Sequence, residues 1–211
     1  MAKDLAQAIG YIYIDSGAMY RAVTLYSIEN GLINEKGINT DKLKKDMNNI
    51  HISFFRNQQT QQPEIILNGK NVENLIRDMR VSSAVSPIAT LDFVRKAMVT
   101  QQQKMGQEKG IVMDGRDIGT TVFPNAELKI FVTASPEIRA ERRYKELKEK
   151  GKDVSLEEIL NNVKERDCID QKRSISPLRR ADDAILLDNS YMTIKEQKQW
   201  LMEQYSKIIN S

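Results

Sequence analysis

The chain has 211 residues, of which 32 are Lys or Arg and 29 are Asp or Glu, for a net charge of +3. That length suits one domain with an insertion or two small ones, and the near balance of charge argues against a general nucleic-acid binder while leaving room for local phosphate-holding clusters. A single cysteine, Cys168, rules out an internal disulfide framework, no apolar run is long enough to span a bilayer, and no signal-peptide pattern opens the chain, so a soluble cytoplasmic protein is expected.

In chain order, Met1–Ile9 reads as a helix with Leu5 and Ile9 one turn apart and Gly10 as its stop. Tyr11–Ile14 is a strand of β-branched and aromatic residues, and Asp15-Ser16-Gly17 is a turn that caps a helix over Ala18–Asn30. That helix carries Arg21 in its first turn, where a cation opposes the macrodipole unless an anion balances it. From about Ile33 to Gly110 the texture changes to an inserted lobe. It holds a polar helix near Asp41–Asn49, paired strands at His51–Phe55 and Glu64–Asn68, an exposed Gln-rich loop at Asn57–Pro63 and a turn at Asn68-Gly69. Two helices follow, Val72–Val85 and Ile88–Met105, separated at Ser86-Pro87. His51 has no Cys or carboxylate cluster around it in the sequence and is read as structural.

The chain is organised around residues 110–135. Ile111–Met113 and Leu128–Val132 are short apolar runs of the kind that form interior strands of an α/β sheet. Between them lies Asp114-Gly115-Arg116-Asp117-Ile118-Gly119-Thr120, three ionised side chains flanked by glycines where the first strand ends. In an open parallel sheet that position is the ligand crevice. Ser135-Pro136-Glu137 then opens a long charged helix to Lys150, with Arg139, Arg142 and Arg143 on one face. A second helix from Leu156 to about Asp170 puts Arg166, Asp170 and Arg173 in register. Ala184–Leu187 is a further buried strand, and Thr193–Ile209 a closing amphipathic helix with Trp200 and Leu201 as core anchors. Strands alternating with helices indicate an α/β fold with a parallel sheet.

Two long stretches, Tyr13–Arg21 (YIDSGAMYR) and Asp114–Pro124 (DGRDIGTTVFP), resemble the cytidylate kinase family. The similarity continues through Lys164-Glu165-Arg166-Asp167 and Ser176-Pro177-Leu178. It implies a parallel-sheet P-loop kinase-like core (1–32, 107–138 and 174–211) with helices on both faces, a substrate-binding insert (about 33–106) and a helical lid (about 139–173). It also implies transfer of the γ-phosphoryl group of ATP to CMP or dCMP, with Mg2+, by a monomer that binds neither nucleic acid nor membrane. Carried over residue by residue, Ser86, Arg95 and Asp117 read cytosine, Arg21 and Arg116 hold the substrate phosphate, Arg166 and Asp170 reach the sugar and that phosphate, and Ser16 is a further substrate contact. The catalytic charges are Arg116, Arg143 and Arg166, and no protein metal ligand is assigned.

No G-x-x-x-x-G-K-[ST] occurs in these residues, although the family's phosphate loop lies just before the helix with which this chain opens. The expectation is therefore a complete acceptor half, a donor half lacking its loop and Mg2+ ligand, and little turnover by this form. Two alternatives remain: a non-catalytic CMP-binding homologue, which the missing loop favours, and an RNA binder using the Arg-rich arm, which near-neutral charge and the lack of a stacking platform disfavour.

Overall fold

The computed structural model describes residues 1–35, 37–59, 62–149 and 151–209. It has the α/β class expected, in two compact units, Ala2–Gly115 and Arg116–Ser211 with Met1.

The first unit opens with α1 (Ala2–Ile9), β1 (Ile12–Asp15) and α2 (Ser16–Glu29). Asp15 is the N-cap of α2, its side chain accepting from the Ala18 N–H at 2.9 Å. This satisfies one of the orphan donors of the first turn. Helix α2 is buried nearly all round, through Ala18, Met19, Tyr20, Ala22, Val23 and Leu25, as a helix without a polar face must be. Of these, Met19, Val23 and Leu25 each contribute about 1.5–3 kcal/mol of apolar burial. After α2 come β2 (Ile33–Asn34), β3 (Gly37–Ile38), α3 (Thr40–Asp46), and the antiparallel strands β4 (Ile52–Arg56), β5 (Pro63–Leu67) and β6 (Lys70–Asn71), and Leu43, Ile52, Ile65 and Leu67 of these join the core around α2. The β5–β6 turn has Asn68 at φ 49° and Gly69 at φ 81°, the two positive angles that make Asn-Gly a hairpin signal. Of the Gln-rich loop expected at 57–63, Thr60 and Gln61 lie outside the described residues.

One helix boundary needs correction. The break expected at Ser86-Pro87 falls instead at Leu91, between α4 (Met79–Thr90) and α5 (Asp92–Met105), and Pro87 lies inside α4. Proline removes one ladder hydrogen bond. Burial of Val81 and Ile88 on the same helix offsets that loss, and Leu91 makes the turn with an extended backbone, φ −71° and ψ 122°. The segment from Val72 is also not helical throughout: a short 3-10 turn at Leu75–Arg77 precedes α4, which Asp78 caps. Strand β7 (Ile111–Asp114) then pairs in parallel with β1, from Ile12↔Ile111 to Asp15↔Asp114.

In the second unit a wide π-type turn, Ile118–Val122, leads to β8 (Ile130–Thr133), α6 (Pro136–Glu149), α7 (Leu156–Lys172), β9 (Ile185–Asp188) and α8 (Ile194–Ile209). The expected end of α6 at Lys150 lies outside the described residues. Strands β8 and β9 form a parallel ladder from Ile130↔Ile185 to Thr133↔Asp188. The apolar interior here is small: Val122, Ala140, Ala184, Leu187 and Leu201 are buried, while Val132 and Leu186 stay about half exposed. Leu201 is the anchor expected of α8, and Trp200 is only half-buried. No helix of the described residues is long and apolar enough to cross a membrane.

Candidate functional site

In the first unit the polar residues collect where β1 and β7 end. Tyr13, Asp15 and Asp114 share one face of this ladder by the two-residue period of a strand and the parallel register. The Tyr13 hydroxyl donates to Asp114 at 3.1 Å. Burial first, then the negative charges of Asp114 and Asp15, push this hydroxyl well above the ordinary tyrosine range, so it stays a donor. Arg21, one turn into α2, donates from Nη2 to Asp15 at 2.7 Å. Its Nε is buried and meets no hydrogen-bond acceptor among the described residues. Ser16, the first residue of α2, is 4% exposed. Farther along, Arg95 in the first turn of α5 is 2% exposed. Its Nη1 donates to the Ala89 carbonyl at 3.2 Å and its guanidinium lies 5.4 Å from the Tyr20 ring centre. Ser86 is half-buried on α4.

In the second unit, charges of alternating sign form a chain. Arg116 Nε donates to Asp170 at 2.8 Å, Arg173 Nη1 lies 3.3 Å from the other Asp170 oxygen, and Arg173 Nη2 lies 3.8 Å from Asp117. The Asp117 and Arg173 side chains are 6% and 9% exposed, and a pair so deeply placed is rare unless mutually compensated. The backbone builds this geometry. Asp117 starts the π-type turn, its carbonyl accepting from the Thr121 N–H at 2.9 Å, and such turns recur at functional sites. Arg173 ends α7 with an extended backbone, and its Nε donates to the Ser176 carbonyl at 2.6 Å. Leu178 N–H donates to the Asp170 carbonyl at 2.7 Å, folding the segment after α7 back onto it.

The arginines of α6 divide by partner. Arg139 makes a two-pronged pair with Asp167 of α7, with Nη1 at 2.9 Å. Arg142 donates to Asn189 Oδ1 and to the carbonyls of Asn189 and Ser190 at 3.0, 2.6 and 3.1 Å, fixing the loop after β9. Arg143 is about half exposed and pairs with Glu146 at 2.8 Å, and Arg166 is exposed on α7.

Residues 1–207 match the protein-family model described as cytidylate kinase. The chain belongs to the cytidylate kinase family. It is 68% identical to the cytidylate kinase of Bacteroides thetaiotaomicron over 99% of this chain and 91% of that protein. It is 68% identical to that of Bacteroides fragilis over 100% of this chain and 92% of the other, and 50% identical to that of Flavobacterium psychrophilum over 99% and 92%. Against this family background, the residues singled out in the sequence fall into separate sets. Ser16, Arg21, Ser86 and Arg95 belong to the first unit, and Arg116, Asp117, Arg143, Arg166 and Asp170 to the second. Within the second, Arg116, Asp117 and Asp170 are joined through Arg173, whereas Arg143 stands in a different pair on α6.

Helical register alone gives Arg173 no role, although it is the link in this chain of charges. Its three-residue spacing from Asp170 was the available signal. Its burial and its approach to Asp117, far off in sequence, were not. The sequence marks Asp15 only as part of a capping turn, and nothing local announces its second bond to Arg21.

Proposed function

We propose that this cytidylate kinase-family chain transfers the γ-phosphoryl group of ATP to CMP or dCMP. An oxygen of the CMP phosphate attacks the γ-phosphorus, a new P–O bond forms, and the bond from the γ-phosphorus to the β–γ bridging oxygen breaks, releasing ADP. The protein's task in such a transfer is positioning and spreading of negative charge. The observation that carries the reading is the buried Asp117 beside Arg173. A carboxylate withdrawn from water next to a guanidinium supplies an acceptor for the exocyclic amine of cytosine, which uracil lacks.

The remaining roles are proposed residue by residue. Ser86 and Arg95 are donors for cytosine O2 and N3. Arg21 and Arg116 grip the acceptor phosphate, a task suited to guanidinium forks, and Ser16 lies at the helix start beside Arg21. Asp170 and Arg166 reach the sugar and the phosphate, with Arg173 holding Asp170 in place. Residues about 33–106 act as the substrate-binding insert and about 139–173 as the lid, where Arg143 and Arg166 spread transition-state charge together with Arg116. Among the described residues no group of three or more His, Cys, Asp or Glu could cage a metal ion. Mg2+ would accompany ATP as part of the donor substrate and neutralise charge on its phosphates. A cytoplasmic monomer acting on small molecules completes the reading.

The test is ATP-dependent phosphorylation of CMP, dCMP, UMP and AMP under identical conditions. CMP and dCMP should be used well ahead of the other two. Equal use of UMP would remove the cytosine-reading role from Asp117.

A further inference from the structure

Asp15 does two things at once. Its Oδ1 accepts from the Ala18 N–H at 2.9 Å and so caps α2, while its Oδ2 accepts from Arg21 Nη2 at 2.7 Å. The second bond has no capping function. It holds the guanidinium of Arg21, which sits one turn into α2, back against the N-cap of that helix, where the macrodipole is positive and repels a cation. Space for this arrangement is reserved at Gly17. A Cβ there would come within 3.0 Å of Asp15 Oδ1 and 3.3 Å of Arg21 Nη1. The guanidinium is thus fixed by one nitrogen, while its buried Nε points to no acceptor among the described residues. A buried donor in that condition costs free energy until an acceptor arrives. The neighbouring carboxylate, Asp114, is oriented by Tyr13.

We propose that Asp15 is a positioning residue for phosphate recognition: its carboxylate holds the Arg21 guanidinium at the start of α2 so that the remaining N–H groups face the acceptor phosphate. This rests on the preceding reading, in which Arg21 grips the phosphate of CMP. Without the carboxylate, Arg21 is a flexible chain repelled by the helix start, and ordering it falls on the ligand.

The test is calorimetric binding of CMP and of cytidine, which differ only in the phosphate, together with thermal unfolding. Asp15→Asn retains an oxygen that can cap Ala18 and removes the charge that holds Arg21; Asp15→Ala removes both. Asp15→Asn should weaken CMP by about tenfold, the scale of a lost charge-assisted hydrogen bond. Cytidine binding and the unfolding midpoint should stay as in the wild type. Asp15→Ala should show the same CMP loss and a lower midpoint as well. In an Arg21→Ala background, Asp15→Asn should have no further effect on CMP. The inference is overturned if Asp15→Asn leaves CMP affinity unchanged or tightens it, weakens CMP and cytidine alike, or acts equally with Arg21 removed, while Arg21→Ala alone still shows the phosphate-specific loss. A wild type that binds CMP no tighter than cytidine overturns the phosphate role of Arg21 and the inference with it.

Discussion

Replacing Asp117 with Asn tests base choice most directly, because it changes charge and hydrogen-bond direction with almost no change of volume. In the free protein the carboxylate faces Arg173 Nη2 at 3.8 Å. At that distance, with an effective dielectric near 20, the direct attraction is about 4 kcal/mol. Little of this should appear as lost stability. Arg173 keeps Asp170 at 3.3 Å and the Ser176 carbonyl at 2.6 Å, so its charge remains compensated. The loss in the unliganded protein should therefore be about 1–2 kcal/mol, that of a buried hydrogen-bonding group deprived of one partner. Ligand binding is affected differently. Asn can turn its amide nitrogen toward the carbonyl that uracil has where cytosine has its amine. CMP should lose about 1–3 kcal/mol and UMP should lose nothing or gain, which compresses the CMP-to-UMP preference by roughly 5–150-fold. Calorimetry with both nucleotides on wild type and Asp117→Asn measures the ratio, and urea unfolding measures the stability term. An unchanged ratio would refute the argument whatever happened to stability.

Four further outcomes follow from particular contacts. Arg139→Ala breaks a two-pronged pair whose side chains are 34% and 23% exposed, so after solvent screening it should cost about 1–2 kcal/mol in urea unfolding. Arg143→Ala breaks only a half-exposed pair with Glu146, so it should change stability by less than about 0.5 kcal/mol while slowing phosphoryl transfer at least about tenfold; the reverse assignment of costs would contradict the partition of the α6 arginines. Gly17→Ala should gain up to about 1 kcal/mol of helix propensity yet weaken CMP several-fold, because the new methyl group pushes against Asp15 and Arg21; unaltered CMP binding would show that the pair shifts without consequence. Glu196 accepts from the Thr193 N–H at 2.7 Å and its hydroxyl at 2.8 Å, and these bonds hold its carboxyl below the usual range. A depressed folded-state value gives stability that is present above the unfolded value and lost as pH falls through the folded one. The stability difference between wild type and Glu196→Gln should therefore shrink as pH falls from about 7 to about 3, and a constant gap would rule out this contribution.

Local chemistry made most of the fold legible. The strands at 111–114 and 130–133 fall within two residues of where the sequence puts them, and the cap at Asp15 is the Asp that precedes helical periodicity. These features depend on neighbours a few residues away. Pro87 departs from expectation for the complementary reason. A proline raises the cost of a helix locally, but the burial that outweighs it at Val81 and Ile88 comes from distant packing partners. In the same way, the all-round burial of α2 decides that its modest apolar pattern is core, and the sequence alone does not say what covers it.

For the site, residue type was legible and partner was not. An Arg on a helix surface meets a ligand, a carboxylate or a carbonyl, and spacing along the helix does not distinguish among them. The four arginines on α6 and α7 show the consequence. Arg139 and Arg142 look equivalent to Arg143 in the sequence, yet the first joins two helices and the second fixes the loop after β9 through contacts 28 and 47 residues away. Those two already have strong acceptors, and a nucleotide would have to displace bonds that hold the fold. Arg143 would have to give up only a half-exposed pair, worth less than about 0.5 kcal/mol, to reach a phosphate. Arg21 lies between these extremes: Asp15 holds it firmly enough to place it, and its Nε remains for an incoming oxygen. How firmly an arginine is already held thus separates those that build the fold from those able to act on a ligand, and that property appears only when distant residues are brought together.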